Sequence, residues 1–144
     1  MKVAIRKAAA YTIDSRALKK TCLKVLKAEG VRRDAVLCVS TITEAEMVDM
    51  NRRFLSRGEP TDVLAFPMGE ESPHGYLLGD VVICPDYIYG KREEYGIEEG
   101  AELEFVTTHG VLHLLGYSDD DEGGAMVMDR RQRELLGLAG GEEG

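Results

Sequence analysis

The stretch Glu104-Phe105-Val106-Thr107-Thr108-His109-Gly110-Val111-Leu112-His113-Leu114-Leu115-Gly116-Tyr117-Ser118-Asp119 decides how this chain is read. It is an apolar helical run that stops at a glycine. His109 and His113 stand four residues apart, which sets both imidazoles on one helix face, one turn apart. Two nitrogens so placed reach a single divalent metal without bending the backbone. Gly116 accepts the left-handed conformation that ends many helices, and the turn can bring Asp119 back over the same point. HGVLHLLGYSD therefore reads as the metal half of a hydrolase site, and it uses two of the three histidines in the chain. A lone histidine on an apolar helix is usually a satisfied core residue, but a pair followed by a glycine stop and an acid is harder to explain by packing. Asp119 has a second reading, because Asp119-Asp120-Asp121-Glu122 also suits the solvated start of a following helix.

Outward from this segment, the pattern alternates strands and helices. Val3-Ala4-Ile5 opens as a strand. Asp14 or Ser15 caps a helix to about Glu29, with Leu18, Cys22, Val25 and Leu26 on one face and Lys19, Lys20, Lys24 and Lys27 toward the other. Gly30 stops it. Ala35-Val36-Leu37-Cys38-Val39 is a buried strand. Thr43 and Glu46 form a capping box that starts a helix to about Phe54. Arg57-Gly58-Glu59-Pro60 is a loop, Val63-Leu64-Ala65-Phe66 a strand closed by Pro67, and residues 69–75 a second loop, long enough to be mobile or functional. A strand follows through Cys84. Pro85 admits a helix to about Glu94, the histidine helix comes next, and a last helix runs from Glu122 to Leu136. The order β-α-β-α-β-β-α-α-α predicts one mixed four-stranded α/β sheet with helices packed on it. It forms a single hydrolase domain over residues 1–137, and residues 138–144 form a flexible tail.

With 144 residues and 31% charged residues the composition is that of a soluble globular protein. No apolar run approaches a membrane span, and Asp14 and Arg16 interrupt the start too early for a signal peptide. Cys22, Cys38 and Cys84 are scattered without metal-ligand pairing, which points to reduced thiols in a cytoplasm. The net charge of −8 is unevenly spread. Residues 1–60 hold 13 of the 18 Lys and Arg against 7 acids, whereas residues 61–144 hold 5 against 19. Such asymmetry supports a phosphate-binding face on an acidic protein, although a lysine on an outer helix face needs no such role.

Three segments together resemble the YbeY family of metal-dependent bacterial endoribonucleases. These are PTDVLAFP from Pro60 to Pro67, LGDVVI from Leu78 to Ile83, and HGVLHLLGYSD from His109 to Asp119. The resemblance covers nearly the whole chain. It implies a zincin-like fold, one bound zinc, single-strand-specific RNA cleavage, and roles in small-subunit ribosomal RNA maturation and ribosome quality control. The partners it implies are ribosomal RNA and the small ribosomal subunit, with no membrane and no DNA.

Two departures stand out. The family pattern ends in a third histidine after a Tyr-Asp pair. Here Ser118 replaces the aspartate and Asp119 the histidine. Aspartate is a legitimate ligand, but its charge makes the metal a weaker Lewis acid and admits manganese or iron beside zinc. The family also carries an arginine directly after the aromatic, where Leu55 follows Phe54. Arg57 comes two residues later and, with Arg53 as alternative, is the candidate for that catalytic role. Arg52, Arg53 and Arg57 are the candidate RNA-binding residues, because a guanidinium fork suits phosphate. Ala65 stands where a serine is common.

In the leading reading His109, His113 and Asp119 hold a metal that polarises a phosphoryl oxygen or activates water. Gly110 follows His109, so the peptidase motif lacks its glutamate and a metalloprotease is the poorer choice. A ribosome-associated assembly factor with structural or lost metal is the runner-up. Asp62 and Asp80 are the acids open as general base, or as structural residues. His74 is a remote alternative ligand.

Overall fold

A computed structural model describes residues 1–7, 12–55 and 61–138. Strand β1 spans Lys2–Arg6, helix α1 Ser15–Ala28, β2 Ala35–Thr41, α2 Glu44–Leu55, β3 Val63–Ser72, β4 Gly75–Ile83, α3 Pro85–Gly90, α4 Glu102–Leu114 and α5 Glu122–Leu136. The expected order of elements is observed. The sheet order is β1-β2-β4-β3, with β1, β2 and β4 parallel and β3 antiparallel to β4. It is the mixed four-stranded sheet anticipated above.

The helix starts follow their caps. Asp14 accepts from the Ala17 N–H at 3.0 Å. At α2 the box closes in both directions: Thr43 N–H donates to Glu46 Oε1 at 2.8 Å, and Glu46 N–H to Thr43 Oγ1 at 3.1 Å.

Two expectations change. Pro67 does not close β3; it pairs opposite Gly79, and the strand continues after a bulge through Ser72. β3 is an edge strand, where a residue without an N–H is tolerated. Residues 69–75, expected as a loop, are therefore the arms and tip of the β3–β4 hairpin. Its tip is held by Ser72 Oγ, which donates to the Gly75 carbonyl and accepts from His74 N–H. The helix after Pro85 also ends early, at Gly90, and a 3-10 turn covers Arg92–Tyr95.

Strand alternation sends successive side chains to opposite faces. Val63, Val81 and Ile83 join the core under α1, α4 and α5, whereas Leu64, Phe66, Val82 and Cys84 pack with Met47 of α2 on the other face. Helix α4 touches β3, β4, α1, α3 and α5. That surrounding explains why its sequence is apolar on nearly every side. Its first turn is fixed by the buried Glu102, which accepts from Gly100 N–H at 3.0 Å and faces Arg92 Nε at 3.4 Å. Leu138 packs on the core and its N–H donates to the Arg133 carbonyl at 2.8 Å; residues 139–144 of the expected tail lie outside the described residues.

The approach of α4 to the sheet is closest at Gly110. A Cβ there would lie 2.7 Å from Val81 Cγ1 and 2.9 Å from Val63 Cγ2. Gly110→Ala should therefore destabilise the fold, because overpacking of about 1–3 kcal/mol outweighs a helix-propensity gain of up to about 1 kcal/mol. Gly123→Ala, whose Cβ meets only Asp121 Oδ1 at 3.6 Å, should be neutral or stabilising. Urea denaturation of the two variants checks this; equal midpoints would contradict the close packing.

Candidate metal centre

Helix α4 presents His109 and His113 side by side, ring centroids 4.7 Å apart and edge to face. Their Nε2 atoms are 3.1 Å apart. Leu115 caps the helix, and Gly116 at φ 103° turns the chain back. Asp119 then arrives with Oδ2 at 3.4 Å from His109 Nε2 and Oδ1 at 3.6 Å from His113 Nε2. Among the described residues, these three offer ligand atoms that all lie within 4.8 Å of one another.

The other ring nitrogens determine where the protons sit. His113 Nδ1 is 3.1 Å from the Tyr117 carbonyl oxygen, which can only accept. His109 Nδ1 is 3.1 Å from Gln132 Oε1. The Gln132 amide is oriented by its own NH2 group, which donates to the Phe105 carbonyl at 2.9 Å. Both Nδ1 atoms therefore donate. In the neutral rings both Nε2 lone pairs then face each other and a carboxylate, an arrangement of acceptors that only a cation or a shared proton relieves.

The donor set fits a metal. The two Nε2 atoms lie 3.1 Å apart and each faces one Asp119 oxygen, Oδ2 at 3.4 Å and Oδ1 at 3.6 Å, the histidine and carboxylate donors that zinc takes. The ligand loop is anchored from outside the helix. Tyr117 donates its hydroxyl to Glu29 Oε1 at 2.9 Å, and Arg131 Nε donates to Glu29 Oε2 at 2.6 Å. Burial, and then the Glu29 carboxylate, push the Tyr117 hydroxyl up from its ordinary pKa, so it stays protonated and donating. Beyond Asp119, Asp121 caps α5 by accepting from Gly124 N–H at 2.7 Å, so the acidic run supplies a cap as well as a candidate ligand.

The family model for Endoribonuclease YbeY matches residues 4–140. The chain belongs to the Endoribonuclease YbeY family. It is 34% identical over 143 residues to Endoribonuclease YbeY of a Nocardioides species, covering 94% of this chain and 96% of the relative. The corresponding protein of Mycolicibacterium smegmatis is 32% identical, with 94% and 82% covered. The solution structure of TM1509 from Thermotoga maritima superimposes with a TM-score of 0.59 at 26% identity, over 94% of this chain and 89% of that one.

A cleft of about 270 Å³ opens beside the centre, lined in part by His109, Asp119 and Gln132. Asp62 lines it too. Asp80 does not: alternation along β4 places it with Val82, on the α2 face of the sheet. His74 lies at the hairpin tip and is not in the ligand group. Arg52 and Arg53 are exposed in the last turn of α2, with Arg53 Nε 3.2 Å from Asp49, and neither lines the cleft. Arg57 lies outside the described residues.

Gln132 is the residue that sequence reading missed. A signal for it existed: Met128, Gln132 and Leu135 share one buried stripe of α5, so an amide sits where an apolar side chain is expected.

Protein purified without chelator should carry about one divalent ion per chain. His113→Ala should lose it, and Asp119→Ala should hold it more weakly. Gln132→Ala should lower zinc affinity by about 10- to 100-fold while leaving all three ligands in place. Asp119→His should tighten zinc by restoring a neutral nitrogen. Competition titration against a chromophoric chelator reads all four variants. If Gln132→Ala bound as tightly as the wild type, the role drawn for its amide would be wrong.

Proposed function

We propose that this chain is a metal-dependent endoribonuclease that cuts single-stranded RNA in the maturation and quality control of small-subunit ribosomal RNA. The observation that carries this is the convergence of two bare imidazole nitrogens and one carboxylate on a single point beside an open cleft. The relatives named Endoribonuclease YbeY support the reaction class.

His109, His113 and Asp119 would hold the metal, and zinc is the proposed ion. When bound, a divalent ion supplies Lewis acidity toward a phosphoryl oxygen and lowers the pKa of water. The carboxylate leaves less net positive charge than three imidazoles would, so manganese or iron is also admitted. The chain's own groups do the rest. Gln132 and the Tyr117 carbonyl keep both rings in the Nδ1–H form and fix their orientation. The Glu29 pair with Tyr117 and Arg131 holds the loop that delivers Asp119.

Peptide hydrolysis is disfavoured by packing as well as by residue type. The position after His109 faces the sheet, where not even a Cβ fits without displacing Val81 or Val63. No room exists for the glutamate of a peptidase at that point. Backbone contacts to RNA fall to the cations of the N-terminal half: Arg52, Arg53, Arg57 and the exposed lysines Lys20, Lys24 and Lys27 that border a shallow groove on α1. The place of action is the cytoplasm, on the small ribosomal subunit. The three cysteines are free, and no helix among the described residues is long and apolar enough to cross a membrane.

A paired assay tests the reading: salt-dependent RNA binding and single-turnover cleavage, each with metal content recorded. His109→Ala should leave RNA bound and uncut. Binding should weaken as salt rises, and Arg53→Glu with Arg57→Glu should weaken it further without loss of metal. Metal-loaded wild type that binds ribosomal RNA and never cuts it would favour an assembly factor.

A further inference from the structure

The cleft beside the metal centre is not built to receive a phosphate. Its lining includes the carboxylates Asp62, Asp119 and Asp129 and, among the described residues, no lysine or arginine. The two cations nearby face these acids and the rings instead. Lys91 Nζ lies 3.8 Å from Asp62 Oδ2 and over the Tyr87 and Tyr95 rings. Arg133 donates to Asp129 Oδ2 at 3.0 Å and to the Tyr95 carbonyl at 3.3 Å. An anion entering here, away from the metal, finds both of these cations already engaged by carboxylates.

The remaining wall is apolar. The Tyr95 and Phe105 rings line it with centroids 5.9 Å apart and planes tilted 55° to each other, and Val106 continues the surface. At about 270 Å³ the space lies just below the range of about 300–1,000 Å³ for pockets that enclose drug-sized ligands. It suits one planar heterocycle. The polar groups on its rim are acceptors held in place. Asp62 Oδ2 accepts the Tyr95 hydroxyl at 3.0 Å and Asp129 Oδ2 accepts from Arg133, so each carboxylate is held in orientation at the rim.

We propose that this cleft is a nucleobase subsite that receives a base adjoining the scissile phosphate and prefers guanine. The inference rests on the endoribonuclease reading and adds its base specificity. Guanine alone among the four bases offers two adjacent donors, N1–H and the N2 amino group, on its Watson–Crick edge. A carboxylate accepts both. Adenine and cytosine place a ring-nitrogen acceptor beside their amino group, and uracil flanks its one N–H with two carbonyls; these acceptors face carboxylate oxygens unfavourably. A single-stranded substrate leaves that edge unpaired, and an aromatic wall with edge hydrogen bonds is the usual way a protein reads an unstacked base.

The test uses the full metal-loaded chain and two readouts. The first is binding of the uncharged nucleosides guanosine, adenosine, cytidine and uridine, followed by NMR, which removes any phosphate–metal contribution. Guanosine should bind more tightly than the other three by about 5- to 100-fold, the discrimination expected of a bidentate base contact. Asp62→Asn and Asp129→Asn are both measured, since the contact lies with one or both acids, and at least one should erase the difference while metal content is unchanged. The second readout is the position of cuts in a single-stranded oligoribonucleotide with one guanosine moved stepwise through a uridine tract. The cut should follow the guanosine in wild type and spread along the tract in the variant that lost discrimination. Equal binding of the four nucleosides, or guanosine selectivity unaltered in both variants, overturns the subsite. RNA cut without regard to base also overturns it and leaves the nuclease reading intact. Guanosine selectivity lost on substitution, in a protein that cuts no RNA, upholds the subsite and sinks the nuclease reading instead.

Discussion

The close seating of α4 on the sheet is the constraint from which the rest follows. Gly110 lets the helix lie against Val63 and Val81, and that contact sets the rotation of α4 about its axis. With one side against the sheet and others against α1 and α5, His109 is left to line the cleft, with His113 beside it. A helix rotated by one residue would bury an imidazole against the valines. Position 110 therefore serves two ends: it allows the packing, and it removes the place from which a peptidase would supply its base.

The centre depends on groups remote in sequence. Two histidines at helical spacing bring nitrogens near one another but leave their protons undecided. The Tyr117 carbonyl and the Gln132 amide decide them, from the loop after α4 and from α5. Glu29, at the end of α1, ties that loop to α5 through Tyr117 and Arg131. Four separate segments thus hold one point in space, where three candidate ligands converge. Asp119 is the most exposed of the three candidate ligands, with 40% of its side chain accessible, against 27% for His109 and 31% for His113.

Acidic character and RNA as substrate are reconciled by where the charges lie. The cations are concentrated before residue 60, seven of the thirteen on α1 and α2, whereas the cleft side is acidic. Long-range attraction to a polyanion and local rejection of phosphate from the cleft can therefore coexist. The Tyr95 hydroxyl, raised above its ordinary pKa by burial and then by Asp62, stays protonated and keeps the Asp62 carboxylate in place.

Local pattern carried much of this protein. The spacing of His109 and His113, the stop at Gly116, the Thr43–Glu46 box and the apolar face of α1 are properties of single segments. Periodicity and capping express them without help from the rest of the chain. What the tertiary structure decided are relations between segments. The hairpin arms at residues 69–72 pair only because β4 lies alongside, and Pro67 is tolerated only because β3 is at the edge. Asp62 and Asp80 are indistinguishable acids in the sequence, yet strand alternation and the path of the chain place one in the cleft and the other across the sheet. Gln132 acquires its role solely from the crossing of α5 over α4. A sequence states which residues recur along one element, and packing alone determines which of them meet.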